Sequence, residues 1–312
     1  MIRALEWIGA RARWFLTIGA FAALFLQDLA AILRPALPVF VALMYFLAMV
    51  RIDLLGVIRG TLRPKRMAVI VSLCIALMIV TPMLLAVVAR VAGFGTEITA
   101  SLIYISAAPP LGSSAALCLL LGLDAALALE LTIVGSFLAP IFGPIITAYL
   151  LGEAVPLDPL DLSLRLSAMI GAGAICAIIA RPLIGADRIT RRAHAFDGIG
   201  AIAMVITVIP IFAGVTAEIL NAPLLALGIL GLVFALNIGV QMLTTPPLRR
   251  ITNDDSAGAV SLIWGNRNAA LYLAALPQSP IFTLFVALYQ FPMYMTPLLL
   301  RFMYVKLPEN RG

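Results

Sequence analysis

The sequence predicts an all-α integral membrane protein: ten transmembrane helices arranged as two inverted five-helix repeats, with helices four and nine discontinuous where they cross. Three observations lead there: an apolar composition, ten apolar runs separated by short basic clusters, and a polar or helix-breaking centre in two of those runs. The 312 residues are 63% hydrophobic and 12% charged, against roughly 45–50% and 25% in soluble domains, which excludes a soluble fold. The net charge of +6 does not point to nucleic acid, because the cations sit between apolar runs and no nucleic-acid motif is present. Cys74, Cys118 and Cys176 each stand alone in an apolar run, so neither a disulfide framework nor a metal site is expected, and no cofactor is implied.

The runs are Trp14 to Leu33, Leu37 to Leu55, Met67 to Val91, Ile98 to Leu121, Ala125 to Leu151, Leu162 to Ile184, Ala195 to Val215, Ala222 to Leu243, Ser256 to Leu276 and Ile281 to Tyr304. Most reach the roughly 20 residues needed to cross about 30 Å of hydrocarbon. Before the first lies an arm with Arg3, Arg11 and Arg13 beside Trp7 and Trp14, read as an interfacial lead-in; cleavage of the first run as a signal peptide is not expected. The cations set the orientation. One side receives the arm, the cluster from Arg51 to Arg66, the cluster from Arg181 to Arg192, Arg249 and Arg250, and then Arg301, Lys306 and Arg311; the other receives Arg34, Arg90 and Arg165. Both termini are therefore expected in the cytoplasm, and Glu153, Asp158, Asp161 and Glu218 on the outer side.

Five runs per half make the second half enter from the opposite side, so residues 1–151 and 162–312 would be related by an axis in the membrane plane. The fourth run of each half then carries the irregular centre. In run four it is Pro109 and Pro110 followed by Leu111, Gly112, Ser113 and Ser114; two prolines predict two half-helices. In run nine it is Gly265, Asn266, Arg267 and Asn268. Without a proline this centre is either a break or an unbroken helix with an internal arginine. An arginine at mid-depth costs roughly 2.5–3.5 kcal/mol on insertion scales, so Arg267 must face protein or a water-filled cavity.

Ala107 to Pro140, AAPPLGSSAALCLLLGLDAALALELTIVGSFLAP, resembles the first crossover and following helix of the bile acid:sodium symporter family. GNRNAALYLAAL, Gly265 to Leu276, resembles its second crossover, and RIDLLGVIRGTLRPKRM, Arg51 to Met67, the loop joining its second and third helices. The resemblance implies a core of spans three to five and eight to ten, a panel of spans one, two, six and seven, a substrate between them, and two sodium ions beside the crossing. Residue by residue, most of the implied sodium ligands are replaced: they fall on Leu77, Ala115, Ala116, Ile263 and Arg267, while Thr132, Ser136 and Asn268 are kept. Sodium wants several hard oxygens, preferably with a carboxylate, so ordinary sodium sites are not expected.

The resemblance implies a monomeric transporter of small organic anions, bile-acid-like or metabolic carboxylates, working by alternating access in a bacterial inner membrane. Sodium coupling is doubtful, which leaves proton coupling or uniport. The expected substrate site is Gly265, Asn266, Arg267, Asn268, Pro110, Gly112, Ser113 and Ser114. Arg267 has two readings: with the half-helix N-termini it forms an electropositive pocket for a carboxylate, or it bonds backbone carbonyls and holds the crossing together. For coupling, Thr132 and Ser136 share one helix face as an i, i+4 pair. Glu130, turned about 200° from Thr132, is either a proton carrier or a partner for another helix's polar group. Asn237 and Gln241, and Tyr289, Gln290, Tyr294 and Thr296, either line the cavity or bridge helices. Two other functions stay open: a non-transporting membrane sensor or scaffold, and an arsenite-type exporter, whose related crossover has a cysteine where Pro110 stands here. An enzyme is not expected, since no serine, histidine and acid set lies at membrane depth.

Overall fold

A computed structural model describes residues 2–152 and 158–304; Glu153, Lys306 and Arg311 lie outside them, as do the side chains of Arg13 and Trp14. The described chain is helical, without a strand. Seven of its helical segments are long and apolar enough to cross a membrane: Gln27–Val50, Pro64–Val91, Ala125–Leu151, Pro159–Ile184, Ala193–Ile211, Pro223–Arg249 and Pro280–Leu299. This is a multi-pass, all-α membrane architecture.

The first run differs from the sequence expectation. The chain forms α1 (Ile2–Ala10) and α2 (Ala12–Ala23), turns at Leu24–Leu26, and then continues through α3 (Gln27–Leu33), a 3-10 turn (Arg34–Ala36) and α4 (Leu37–Val50). The arm is thus helical, and Arg34 lies inside the membrane-capable segment Gln27–Val50 instead of a loop. The helical course through Arg34 has a local cause and the turn at Leu24–Leu26 a tertiary one. Pro35 and Pro38 fall at first-turn positions, where the missing N–H is no loss. The turn is held by Gln27, whose amide donates to the Ala23 and Leu24 carbonyls at 3.4 and 3.0 Å and accepts from Gly214 N–H at 3.1 Å.

The remaining helices are α5 (Leu54–Thr61), α6 (Pro64–Ile75), α7 (Thr81–Val91), α8 (Thr96–Ala107), α9 (Ser114–Leu121), α10 (Ala125–Leu151), α11 (Pro159–Ile184), α12 (Ala186–Arg191), α13 (Ala193–Ile211), α14 (Val215–Asn221), α15 (Pro223–Phe234), α16 (Val240–Arg249), α17 (Asp254–Gly265), α18 (Ala269–Ala275), α19 (Pro280–Leu299) and α20 (Arg301–Tyr304). Their starts follow from capping residues: Asp53, Asp124, Asp158, Asn253 and Ser279 each accept from a backbone N–H in the first turn.

Packing groups most of the helices into two sets, which meet where α10 packs on α11, α18 on α4 and α19 on α2. In one, α4 packs along α11, and α13 packs on α1, α2, α3 and α4; in the other, α10 packs on α6, α8, α9 and α17, α7 on α8, α15 and α8 on α19, and α16 on α17. Glycines allow the closest approaches within the first set. A Cβ on Gly173 would stand 2.8 Å from the Ala42 carbonyl and 2.9 Å from the Phe46 nitrogen, and one on Gly198 would run into the Leu5 carbonyl. Small residues that let backbones touch are the usual currency of helix association in lipid.

Two features recur in the second set. After 12 residues of helix, both Pro64–Ile75 and Pro223–Phe234 pass into a five-residue π segment, Ala76–Val80 and Ala235–Gly239. Both α8 and α17 also run 12 residues and then stop at mid-chain breaks.

Candidate functional site

The two breaks meet. Ala108 adopts φ −62° and ψ 147°, the extended conformation that a following proline imposes. Asn266 is likewise extended. Pro110 and Arg267 form an isolated antiparallel bridge, flanked by Leu111 N–H donating to Asn266 O at 3.1 Å and Asn268 N–H donating to Pro109 O at 2.9 Å. The two bonds lie on either side of the Pro110–Arg267 pair, so the pair itself needs no donor from Pro110. This solves the main problem of broken helices in hydrocarbon, where unpaired backbone groups cost several kcal/mol each.

No proline breaks α17; other side chains do it. The carbonyl of Gly265 would normally accept from residue 269. Instead it accepts from Asn237 Nδ2 at 2.5 Å and from the Tyr289 hydroxyl, while Ala269 N–H turns to the Arg267 carbonyl at 2.9 Å. Asn266 closes the end of α17 by donating its own amide to Leu262 O at 2.8 Å and accepting from Asn237 at 3.2 Å. Asn237 is held in turn by Thr296 at 2.8 Å and Gln241 at 3.0 Å, and Gln241 accepts from Tyr304 at 3.0 Å. Asn237, Gln241, Tyr289 and Thr296 therefore bridge helices. Gln290 bonds within α19, to Val286 O at 3.0 Å.

Arg267 is 2% exposed and takes part in no salt bridge among the described residues. Its guanidinium donates to the Leu77 carbonyl at 2.5 Å and the Ala108 carbonyl at 3.4 Å, and its backbone N–H to the Tyr289 hydroxyl at 3.2 Å. Those are the bonds of the carbonyl-holding reading. The positive charge lies where α8 and α17 both end, at the negative ends of their dipoles. Leu77 belongs to the first π segment and Asn237 to the second, so each π segment grips the second break. Trp264 adds a tie beside them, donating to Thr81 Oγ1 at 2.9 Å. The space next to the guanidinium is 20 Å³, about one water's worth.

The expected substrate residues divide by exposure. Pro110, Ser114, Gly265, Asn266 and Arg267 are buried, whereas Gly112, Ser113 and Asn268 are half-buried and meet the other helix set. Asn268 Nδ2 donates to the Tyr45 hydroxyl at 3.1 Å, and a Cβ on Gly112 would touch Ala48 at 3.7 Å. Tyr45, which sequence reasoning missed, comes from α4 and is only 3% exposed; nothing in a run of apolar residues marks it. Ser113 sits next to Ser114, whose hydroxyl is buried without a hydrogen-bond partner among the described residues, while Ser136 lies beside the Tyr45 hydroxyl.

The coupling candidates are less available. Thr132 donates to its own helix at Ala128 O, 2.8 Å away. Glu130 forms an ion pair with Arg66 at 2.6 Å, with side chains 19% and 38% exposed. No group of three or more His, Cys, Asp or Glu side chains with metal-holding geometry occurs among the described residues. The side-chain oxygens that the resemblance implies for sodium amount to Thr132, Ser136 and the Asn268 amide, beside a fixed cation and without a carboxylate, a poorer donor set than that ion prefers.

No protein-family model matches the chain, and no curated protein matches it.

Proposed function

We propose that the chain is a secondary transporter of small organic anions, carried by alternating access between the two helix sets without sodium coupling. The observation that supports it best is the bridged pair of broken helices at mid-chain, with a buried guanidinium that has no carboxylate partner. Residues 1–151 and 162–312 are read as inverted repeats giving ten spans. The matched 12-residue leads into the two π segments, and the matched lengths of α8 and α17, support that reading. The clusters of arginine and lysine on one side support reading both termini as cytoplasmic, in a bacterial inner membrane.

The substrate site is read as the half-buried face of Gly112, Ser113 and Asn268 opposite Tyr45, with the bridge of Pro110, Arg267 and their neighbours as its floor. Arg267 acts there through its field. The negative ends of α8 and α17 offset part of that field, so its pull on a carboxylate is a fraction of a bare unit charge's. Held in place by two carbonyls, Arg267 does the work of a counter-ion that never dissociates. A resident charge of this kind cannot be driven by a sodium gradient, which is the physical ground for the absence of sodium coupling.

Uptake of labelled carboxylates into proteoliposomes, with sodium and proton gradients imposed separately, tests this. Accumulation indifferent to sodium is expected for at least one carboxylate; sodium-driven accumulation would overturn the coupling claim, and no uptake from the whole panel would favour a non-transporting scaffold. In the same assay Glu130→Gln is expected to keep gradient-driven uptake within about twofold of the parent, as suits a partly exposed ion pair. Abolished proton-driven uptake with facilitated exchange intact would instead make Glu130 the proton carrier.

A further inference from the structure

The side-chain bonds that join one helix set to the other lie at the bridge and towards the end of the bundle that carries Arg34. Asn268 reaches Tyr45 at the bridge. Further towards that end, Ser163 donates to the Pro140 carbonyl at 2.6 Å, which is free because Pro144, four residues on, has no N–H. Arg165 reaches the Ala275 carbonyl at the close of α18, at 3.4 Å. At that end Arg34 donates to the Pro210 carbonyl of its own set at 3.1 Å and to Thr283 Oγ1 of the other at 3.2 Å, and Thr216 of α14, which packs on α15 and α19, donates to the Leu24 carbonyl at 2.7 Å. At the opposite, basic end the bonds stay within a set: Arg51 with Asp197, Arg181 with the Val50 carbonyl, Arg66 with Glu130, and Arg249 with the Met303 carbonyl.

Below Arg34 the same face of α19 continues the contact. Thr283, Ala287 and Phe291 follow at i, i+4 and i+8 and so lie one above another. Phe291 meets Phe21 of α2 at 4.8 Å between ring centroids and Phe212 at 6.0 Å. Ala287, between the arginine and the aromatic group, is fully buried. Above, Arg34 and Thr283 line a 160 Å³ cleft together with Glu218, Gln278 and Ser279. The carboxylate of Glu218 makes that cleft a poor store for an anion, so the role of Arg34 follows from what it ties together.

We propose that Arg34 is the latch of a gate at its end of the bundle: its bond to Thr283, over the buried Phe291–Phe212 contact, holds the two helix sets closed there, and the structure is the state closed at that end. This rests on the alternating-access reading but not on any substrate, so it is tested without one. The reporter is Ala287→Cys in a Cys176→Ser background, labelled with a membrane-impermeant maleimide in right-side-out and in inverted vesicles. Arg34→Gln, which removes the charge and the fork, is expected to raise the labelling rate of Cys at 287 by about tenfold, from the Arg34 side only. Thr283→Ala, which removes the acceptor from the other set, is expected to do the same. Arg90→Gln, a cation exposed at the end of α7, leaves the rate unchanged. Should Arg34→Gln fail to fold, Thr283→Ala decides. Either variant, folded and labelled no faster than the parent, overturns the proposal, as does equal acceleration from both sides, which would mean general loosening.

Discussion

Arg267→Gln is expected to destabilise the protein by about 2–6 kcal/mol, since the guanidinium satisfies two buried carbonyls, Leu77 and Ala108, and each orphaned one costs about 1–3 kcal/mol. Against a total stability of about 5–15 kcal/mol this is a large fraction. The measurement is the monodisperse yield in detergent together with the midpoint of thermal unfolding. Arg267→Lys should fall between parent and Gln, because one ammonium on a flexible stem cannot serve two carbonyls in the geometry of the fork. A Gln variant that is as stable as the parent yet transports nothing would move the guanidinium's main task from the crossing to the substrate itself.

The second large effect is expected at Gly265→Ala. An added Cβ would overlap the Asn237 carbonyl and stand 2.6 Å from Gln241 Nε2 and 2.7 Å from its Cγ. None of these neighbours can yield freely: Asn237 is fixed by Gly265, Asn266, Thr296 and Gln241, and Gln241 by Tyr304. Overpacking usually costs about 1–3 kcal/mol, and the upper end is expected where the obstruction is backbone. Gly228→Ala on α15 is the matched control. Nothing lies within 4 Å of its would-be Cβ, so the loss of backbone freedom in the unfolded chain should leave it neutral or slightly more stable. Equal unfolding midpoints for the two variants would show that the crossing is looser than its bonds suggest.

Much of this was legible in the residues. Pro109 and Pro110 mark the first break by covalent geometry alone, and the apolar runs mark the passes. The second break was visible only as an ambiguity, because its cause is tertiary: Asn237 and Tyr289, from two other helices, take the carbonyl on which an unbroken helix would depend. The turn at Leu24–Leu26 was missed for a similar reason. It is an apolar stretch closed by Gln27 and Gly214 from far along the chain, while the more conspicuous Arg34 and Pro35 lie within a helical segment. The π segments leave no trace in composition, and neither does the role of Tyr45, whose partner Asn268 is remote in sequence.

Those π segments bear on how such a chain tolerates insertions and deletions. In each, the N–H of the residue that follows bonds five positions back, Thr81 to Ala76 and Val240 to Ala235, so each holds one residue more than an ordinary turn would. Losing that residue would restore a regular helix and wind everything downstream by about 100°, carrying Thr81 off Trp264 in one case and Gln241 off Thr296 and Tyr304 in the other. The extra residue is thus a phase-setter: it keeps the two ends of each long helix pointing at different neighbours, and single-residue length changes there should be far less forgiving than substitutions.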